Sequence, residues 1–340
     1  MIPARFAPIL QEMEPLAARF REAGHRLYLV GGTVRDLLLG DESKPLDQMD
    51  FDATTTARPE ETKNLVAGLA DAVWTQGEKF GTIGLKVGDR VYEITTHRAE
   101  AYSPDSRKPD VQYADDISVD LSRRDFTINA MSMTSDGKLY DYFGGAEDLE
   151  VGIVRFVGDP ATRIAEDYLR ILRFFRFHAR YGRQAIDPET AEALRGGAHG
   201  LGILSVQRVW QELRRLLAVP NPSDAIVAME ELGVLAATIP EGASAARLRA
   251  FIEADAPEDP ILRLAALATG DVEALAFRLK LSKAERTRLW AARGPIGVTP
   301  TSDDTAIRRE LVDTPPDVLI DRAWLAGGAN PDWAALRARI

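Results

Sequence analysis

A glycine pair followed by two closely spaced aspartates is the feature that most constrains the fold of this chain. The segment LVGGTVRDLLLG occupies residues 29–40, and Asp50 and Asp52 follow with Phe51 between them. Glycine accepts backbone angles that other residues avoid, and a turn into a helix is the predicted structure. In a strand, alternate side chains share a face, so the two aspartates point one way and Phe51 points toward a core. Two neighbouring carboxylates repel unless a cation lies between them, and such hard oxygen ligands suit Mg²⁺.

The composition is that of an ordinary globular protein. The chain has 340 residues, of which 45% are hydrophobic and 28% charged, and this length allows two or three domains. It has no cysteine, which excludes a disulfide framework and a thiolate zinc site. No apolar run is long enough to span a membrane, and the N-terminus is expected to form an amphipathic helix rather than a secretory signal. A cytoplasmic location is the default expectation.

The charge distribution leaves nucleic-acid binding open. The formal net charge of −10 argues mildly against a nucleic-acid partner, because phosphate contacts favour basic surfaces. Residues 163–183, however, contain six arginines and only two acidic residues, Glu166 and Asp167. An acidic protein with such a locally basic segment can still bind RNA.

The order of apolar and polar residues predicts an α+β region followed by a helical region. Residues 27 to about 145 alternate strand-like and helix-like segments, whereas from Asp159 onward the spacing is helical. The predicted strands are LYLVGG, MDFDATT, TIGLKVG and RVYEITTH, with a hairpin turn at Asp89, and the predicted helices are VRDLLLG and PEETKNLVAGLADAV.

Two further segments add candidate site residues to this α+β region. Glu93 lies in VYEITTHR on the face opposite to Tyr92 and Ile94, so three carboxylates converge if its strand lies near that of the aspartates. The alternative is a solvated strand residue. The segment SRRDFTINAM places Arg124 and a second arginine before an aspartate and a helix-like stretch, and arginine can grip phosphate in a fork. The alternative is a surface Arg–Asp pair that caps a helix.

The segment RIAEDYLRILRFFRFHARYG, residues 163–182, is predicted to form one amphipathic helix. Its arginines at 163, 170, 173 and 180 fall with Glu166 on one arc, and Arg176 lies half a turn from Asp167. Asp167 and Arg170 are three residues apart, and this acceptor–donor pair matches the hydrogen-bond pattern of a base edge. The alternative is a salt bridge on a helix surface, worth about 0.2–0.5 kcal/mol.

Together these segments resemble the class II nucleotidyltransferases, and more narrowly the family that adds CCA to tRNA 3′ ends. LVGGTVRDLLLG with DFD is similar to the first motif, RRDFTINAM to the second, and EITTHR to the strand bearing the third carboxylate. DYFGGAEDL is similar to the hinge motif, and RIAEDYLRILR to the nucleotide-selecting helix. The match runs in order through residues 27–182 and more loosely to residue 235. One departure is Gln207 before Arg208, where the family often has Glu.

The resemblance implies a role for each candidate residue. Asp50, Asp52 and Glu93 would bind Mg²⁺ and carry catalysis; Gly31, Gly32, Arg35 and Arg124 would hold the phosphates or sugar; Asp167 and Arg170 would pair with the base, with Arg173 and Arg176 in support. Asp141, Gly144 and Gly145 would reorient the domains between C and A addition.

The fold implied is a small mixed-sheet head at residues 1–150, a helical neck at 151–218 and a helical, tRNA-binding body and tail at 219–340. The implied partners are CTP, ATP and the tRNA 3′ end, with no membrane. Tyr168 after the Glu-Asp pair favours CCA addition over a poly(A) polymerase, in which proline is usual. The loop at 98–113, with Asp105 and Arg107, argues against a CC-only enzyme. The remaining alternatives are an A-adding tRNA nucleotidyltransferase, a poly(A) polymerase, an enzyme that transfers a nucleotide to a small molecule or protein, and a noncatalytic RNA-binding protein on the same scaffold.

Overall fold

The computed structural model describes residues 7–40, 51–103 and 106–340, and for residues 100–111 it describes no side chains. The chain divides into two compact units, Met1–Glu166 and Asp167–Ile340. Asp50 and Asp105 lie outside the described residues, and the side chain of Arg107 is not described. The division into head, neck, and body and tail remains a prediction.

The first unit is built on a mixed sheet of seven strands in the order β3-β4-β5-β2-β1-β8-β9. β2 and β5 are parallel, and the other neighbours are antiparallel. Strands β6 and β7 form a separate antiparallel hairpin. The strands are β1 (Leu27–Val30), β2 (Phe51–Thr55), β3 (Ala72–Trp74), β4 (Thr82–Val87), β5 (Arg90–Thr96), β6 (Arg98–Ser103), β7 (Ser106–Tyr113), β8 (Met131–Met133) and β9 (Leu139–Asp141). The mixed-sheet α+β prediction is confirmed, including the hairpin turn at Asp89 between β4 and β5.

Six α-helices lie in the described part of this unit, together with short 3₁₀ turns at Glu78–Phe80 and Thr127–Asn129. They are α1 (Ala7–Glu22), α2 (Gly32–Leu39), α3 (Pro59–Val66), α4 (Ile117–Ser122), α5 (Gly145–Val151) and α6 (Pro160–Glu166). One core cluster joins the interior strand β1 to α4 through Tyr28, Val30, Ile117 and Leu121. Burial of such apolar side chains, at about 25 cal/mol per Å², is the main term that stabilises this packing.

The described residues of the second unit form helices joined by loops, with a 3₁₀ helix at Ala198–Ile203 and an isolated β-bridge between Ala243 and Ala268. Its helices are α7 (Leu169–Tyr181), α8 (Pro188–Gly197), α9 (Val206–Leu217), α10 (Ser223–Glu231), α11 (Val234–Thr238), α12 (Ala245–Glu253), α13 (Pro260–Leu267), α14 (Val272–Arg278), α15 (Lys283–Ala292), α16 (Asp304–Asp313), α17 (Pro316–Gly327) and α18 (Pro331–Arg339). α13 is buried, and its Arg263, only 1% exposed, donates to the carbonyls of Leu217 and Pro220 near the end of α9. The two Nη groups of this buried cation thus bind carbonyl groups at and just after a helix end, where helical partners run out.

Three sequence-based expectations about helices are wrong. The helix expected over PEETKNLVAGLADAV ends at Val66, because Gly68 takes a φ of 76° and the chain then enters β3. In SRRDFTINAM, α4 ends at Ser122 and the arginines are followed by no α-helix but by the 3₁₀ turn at Thr127–Asn129. The helix expected over 163–182 is interrupted after Glu166, where Asp167 Oδ1 accepts from the backbone N of Leu169 at 3.1 Å. A short acidic side chain that binds backbone N–H groups competes with helix continuation.

The described residues contain no helix long and apolar enough to cross a membrane.

Candidate active site

The glycine pair forms the turn from β1 into α2, and this turn is tied directly to β2. Gly31 takes φ 62° and ψ −126°, angles that strain any residue with a side chain. Thr33, in the first turn of α2 and only 4% exposed, accepts a hydrogen bond from the backbone N of Asp52 at 3.1 Å. The loop and the aspartate strand are therefore neighbours. Thr33 was not singled out from the sequence, because a threonine at a helix start is common.

Asp52 and Glu93 lie side by side on parallel strands. The register pairs Phe51 with Tyr92 and Asp52 with Glu93, and both carboxylates are exposed while both rings are buried. The rings of Phe51 and Tyr92 pack with centroids 5.4 Å apart. Neighbouring strands are about 4.8 Å apart, so the two carboxylates share one face of the sheet at close range. The predicted alternation is confirmed for Phe51 and Asp52 and for Tyr92, Glu93 and Ile94, whereas Asp50 lies outside the described residues.

Arg124 lies against the glycine turn. A Cβ atom added at Gly31 would lie 2.7 Å from Nη1 of Arg124, so a side chain at this position would displace the guanidinium. Arg124 Nη2 donates to Oδ2 of Asp120 at 3.1 Å, and Asp120 is 0% exposed. The structure thus brings Gly31 and Arg124 together, and it adds a buried carboxylate that was not singled out from the sequence.

Arg35 is held by neighbouring side chains of the same unit. It is 7% exposed, and its Nη1 donates to Oδ1 of Asn129 at 2.5 Å while its Nη2 donates to Oδ1 of Asp36 at 3.0 Å. Asn129 in turn donates from Nδ2 to Oδ1 of Asp125 at 3.0 Å. A Cβ at Gly32 would be 3.4 Å from Arg35 Nη2, so the arginine lies beside the turn. Asp125 and Asn129 of the second motif therefore hold Arg35 of the first motif through buried hydrogen bonds.

Arg163 departs from its expected place on a polar helix face. It is 8% exposed, and its Nη2 donates to the backbone carbonyl of Arg124 at 2.7 Å and to that of Arg123. Its Nη1 pairs with Glu166 at 2.6 Å. The expected position is wrong because it required one continuous helix over residues 163–182, whereas Arg163 lies on α6 of the first unit.

In the second unit, Asp167 is paired with α9. Its Oδ2 accepts from Arg208 Nη2 at 2.6 Å, and their side chains are 26% and 48% exposed. Arg170, which was placed on the polar arc, is 6% exposed. Arg208 directly follows Gln207, the position where this chain differs from the Glu that is frequent in the family, and Gln207 is exposed.

Arg173 and Arg176 both face Glu212 of α9. Arg176 Nε donates to Glu212 Oε2 at 2.6 Å, whereas Arg173 and Arg215 lie 3.7 and 3.5 Å from Oε1. Glu212 is 3% exposed. Burial lowers the pKa of Arg176, and the attraction of Glu212 opposes that shift. Glu212 could not be identified from the sequence, because ion-pair partners distant in sequence leave no local pattern.

The hinge-like segment forms a tight helix start in the first unit. Asp141 accepts from the backbone N of Gly145 and of Ala146, both at 2.9 Å, and so caps α5. Gly144 has φ 74°, and a Cβ at Gly145 would lie 2.1 Å from the carbonyl O of Thr127. Both glycines have a local structural reason, and their role in reorientation remains a prediction.

Comparison with known proteins agrees with these motifs. Residues 27–155 match the family described as "Poly A polymerase head domain", and residues 185–246 match "Probable RNA and SrmB- binding site of polymerase A". The mitochondrial CCA tRNA nucleotidyltransferase 1 of Danio rerio is 40% identical over 284 residues, which are 80% of this chain and 63% of that protein. The CCA-adding enzyme of Bacillus velezensis is 37% identical over 222 residues, which are 65% of this chain and 54% of that protein. The chain therefore spans less than two thirds of the length of these curated relatives.

The fold is also that of solved relatives. The crystal structure of the Bacillus stearothermophilus CCA-adding enzyme in complex with CTP superposes with a TM-score of 0.76 at 26% identity, covering 98% of this chain and 82% of that one. The chain belongs to the class II nucleotidyltransferases, with a poly A polymerase head domain at residues 27–155 and a resemblance to the CCA-adding enzymes.

Proposed function

We propose that this protein adds C, C and A to the 3′ end of tRNA from CTP and ATP, without a nucleic-acid template and with release of pyrophosphate. The observation that carries the proposal is the placement of Asp52 beside Glu93, with the backbone of Asp52 bound to Thr33 in the helix that begins at the Gly31 turn. The 40% identity to a CCA tRNA nucleotidyltransferase over 284 residues supports the choice of substrate class.

Members of this family use divalent metal ions, and Mg²⁺ is the ion proposed here. Asp52 and Glu93 offer hard carboxylate oxygens on one exposed face, and such ligands fit Mg²⁺. Asp50, outside the described residues, completes the proposed set. When bound, such ions neutralise triphosphate charge and make the attacking hydroxyl more acidic. The protein's part is to hold the carboxylates in register, which β2 and β5 do through the buried Phe51–Tyr92 contact.

The nucleotide is proposed to lie along the turn at Gly31 and Gly32. Arg124 reaches this turn and has the charge and fork geometry to bind phosphate. Arg35 is engaged by Asn129 and Asp36, so its proposed contribution is to position the turn and present its remaining surface to the sugar or phosphates.

Base selection is proposed for the segment that begins α7. Asp167 would accept from, and Arg170 would donate to, the edge of the incoming base. Arg173 and Arg176 are proposed to support the nucleotide, and Arg176 does so from a position fixed by Glu212. The proposed domains are the head at 1–150, the neck at 151–218 and the tRNA-binding body and tail at 219–340. A cytoplasmic location is also proposed, although the Danio rerio relative is named as mitochondrial.

The decisive experiment supplies the protein with Mg²⁺ and a tRNA transcript that ends at the discriminator base. Products are resolved at single-nucleotide length after incubation with CTP, ATP or both. Two additions with CTP alone and three with both nucleotides are expected. Addition of A only, to a transcript already ending in CC, would identify an A-adding enzyme. The match to a poly A polymerase head makes long A tails the other informative result, and no extension would favour a noncatalytic RNA-binding protein.

A variant tests the carboxylate assignment. Asp52→Ala should lower kcat by about 10³-fold or more, because a lost metal site forfeits several kcal/mol of transition-state stabilisation. Asp89→Ala, at the exposed hairpin turn between β4 and β5, is the matched control and should retain activity. Wild-type turnover by a folded Asp52→Ala variant would remove Asp52 from the site.

A further inference from the structure

Asp120 is a buried carboxylate that joins three parts of the first unit. It lies on α4, is 0% exposed, and accepts from Arg123 Nη2 at 2.8 Å and from Arg124 Nη2 at 3.1 Å. Burial raises the pKa of Asp120, but the attraction of Arg124 and Arg123 is larger and leaves it below its ordinary value. A carboxylate kept charged inside a protein needs such partners, because desolvation otherwise neutralises it.

The same carboxylate lies at the root of the β6–β7 hairpin. Its Oδ1 accepts from the backbone N of Arg98, the first residue of β6, at 3.4 Å. The buried ring of His97 precedes that residue, and the negative charge of Asp120 acts on it. The two oxygens of Asp120 therefore serve different elements: Oδ1 faces Arg123 and the hairpin root, and Oδ2 faces Arg124.

The backbone and the side chain of Arg124 are held by different groups. Arg163 binds its backbone carbonyl at 2.7 Å, whereas Asp120 binds its Nη2. Its Nη1 lies against Gly31, and its Nε is buried without a hydrogen-bond partner among the described residues. With the backbone fixed independently, the rotamer that carries the guanidinium to the glycine turn depends on the contact with Asp120.

We propose that Asp120 is a positioning residue for nucleotide binding, which holds the guanidinium of Arg124 at the Gly31 turn and links that guanidinium to the root of the β6–β7 hairpin. The proposal rests on the proposed function, since it takes the occupant of the turn to be a nucleoside triphosphate. Asp120 itself does not contact the nucleotide. It keeps Arg124 extended toward the phosphates, so the arginine does not have to rearrange when the nucleotide binds.

The test measures CTP affinity by calorimetry, without tRNA, for the full-length chain and for Asp120→Asn, Arg124→Ala and the double variant. Asparagine keeps the shape of the side chain and loses its charge. Each single variant should weaken CTP binding about tenfold or more, as expected for loss of a charge-assisted contact. The double variant should be no more than about twofold weaker than Arg124→Ala, because residues that act through one contact are not additive.

Asp148→Asn is the matched control. Asp148 is also buried in the first unit, at 5% exposed, and it pairs with Arg155 and accepts from Thr127 Oγ1 at 2.6 Å. It should lower the melting temperature as Asp120→Asn does but leave CTP affinity within about twofold. Extension of tRNA by the wild-type protein is measured first, so that failure of the proposed function is seen independently.

Each result bears on the proposal. If wild-type protein binds CTP and extends tRNA while Asp120→Asn binds CTP normally, the positioning role is refuted and the proposed function stands. Additive losses in the double variant, or an equal loss of affinity in Asp148→Asn, would assign Asp120 to general stability. Asp120→Ser is a second, smaller variant that keeps a hydrogen-bond acceptor. If the first unit fails to fold in both Asp120→Asn and Asp120→Ser, Asp120 is likewise assigned to general stability.

Discussion

Glu212 should be an ionisable residue whose neutralisation strongly destabilises the helical unit. It is 3% exposed and faces three arginines, of which Arg176 is closest at 2.6 Å and has a side chain only 17% exposed. Removing one partner of a buried pair costs about 3–5 kcal/mol. The partial exposure of the other arginines, 31% for Arg173 and 63% for Arg215, allows water to recover part of that cost. For Glu212→Gln we therefore expect a loss of about 2–3 kcal/mol in the free energy of unfolding.

The loss can be measured by urea or thermal unfolding of the full chain, followed by far-ultraviolet circular dichroism. For a unit of this size, each kcal/mol corresponds to roughly 2–4 °C, so the helical transition should fall by about 4–12 °C. The transitions of the two units must be fitted separately, since two compact units need not unfold together. Arg215→Ala removes an exposed partner of the same carboxylate and should cost less than about 0.5 kcal/mol. A Glu212→Gln variant within 0.5 kcal/mol of wild type, or an Arg215→Ala variant as unstable as Glu212→Gln, would refute the reasoning.

Three other perturbations test separate parts of the molecule. Burial lowers the pKa of His97 to about 4 from 6.5. The neutral imidazole therefore contributes its full stability above pH 6.5, and this contribution is lost as the pH falls toward 4. In urea unfolding, wild type should lose about 1.4 kcal/mol of stability between pH 7.5 and pH 5.5, and His97→Phe should not show this loss. Gly145→Ala should destabilise the first unit by roughly 2–3 kcal/mol, because the added Cβ would collide with the carbonyl O of Thr127. The Cβ added in Gly144→Ala meets no atom within 4 Å, so this variant should lose only about 1–2 kcal/mol, from the strain of a left-handed backbone conformation. Equal melting temperatures for the two variants would contradict this. Arg170→Ala should reduce discrimination between CTP and ATP more than it reduces kcat, and unchanged single-nucleotide product ratios would count against base selection by this residue.

The sheet and its carboxylates could be predicted because their signals are local. Period-two alternation placed Phe51 and Tyr92 in the core and Asp52 and Glu93 on the surface, and the parallel register confirms that pattern. The glycine turn was equally readable, since Gly31 occupies backbone angles that a side chain would strain.

The partners of the arginines could not be predicted, because a guanidinium reaches groups that are distant in sequence. Arg163 binds carbonyls about 40 residues earlier, and Arg176 binds Glu212, 36 residues later. The sequence pattern predicted that Arg163 and Arg176 lie on one continuous helix. In the structure, the side chain of Asp167 accepts from the N–H of Leu169, where a new helix begins. The interruption thus places Arg163 on a different helix from the arginines of α7.

The interruption at Asp167 has a consequence for base selection under the proposed function. Arg208 and Glu212 are four residues apart on α9 and so lie on one face of it. They contact Asp167 and Arg176, near the two ends of the stretch expected to read the base. The exposed Arg208 pair contributes little to stability, at most about 1 kcal/mol, but it competes with a base for the carboxylate of Asp167. The buried Glu212 pair instead fixes α7 in place. We therefore expect Arg208→Ala to change the selectivity between CTP and ATP without changing the free energy of unfolding. Glu212→Gln should instead lower the free energy of unfolding as its main effect. Parallel measurements of unfolding and of CTP/ATP incorporation would distinguish these two roles, and the same pair of effects in both variants would contradict them.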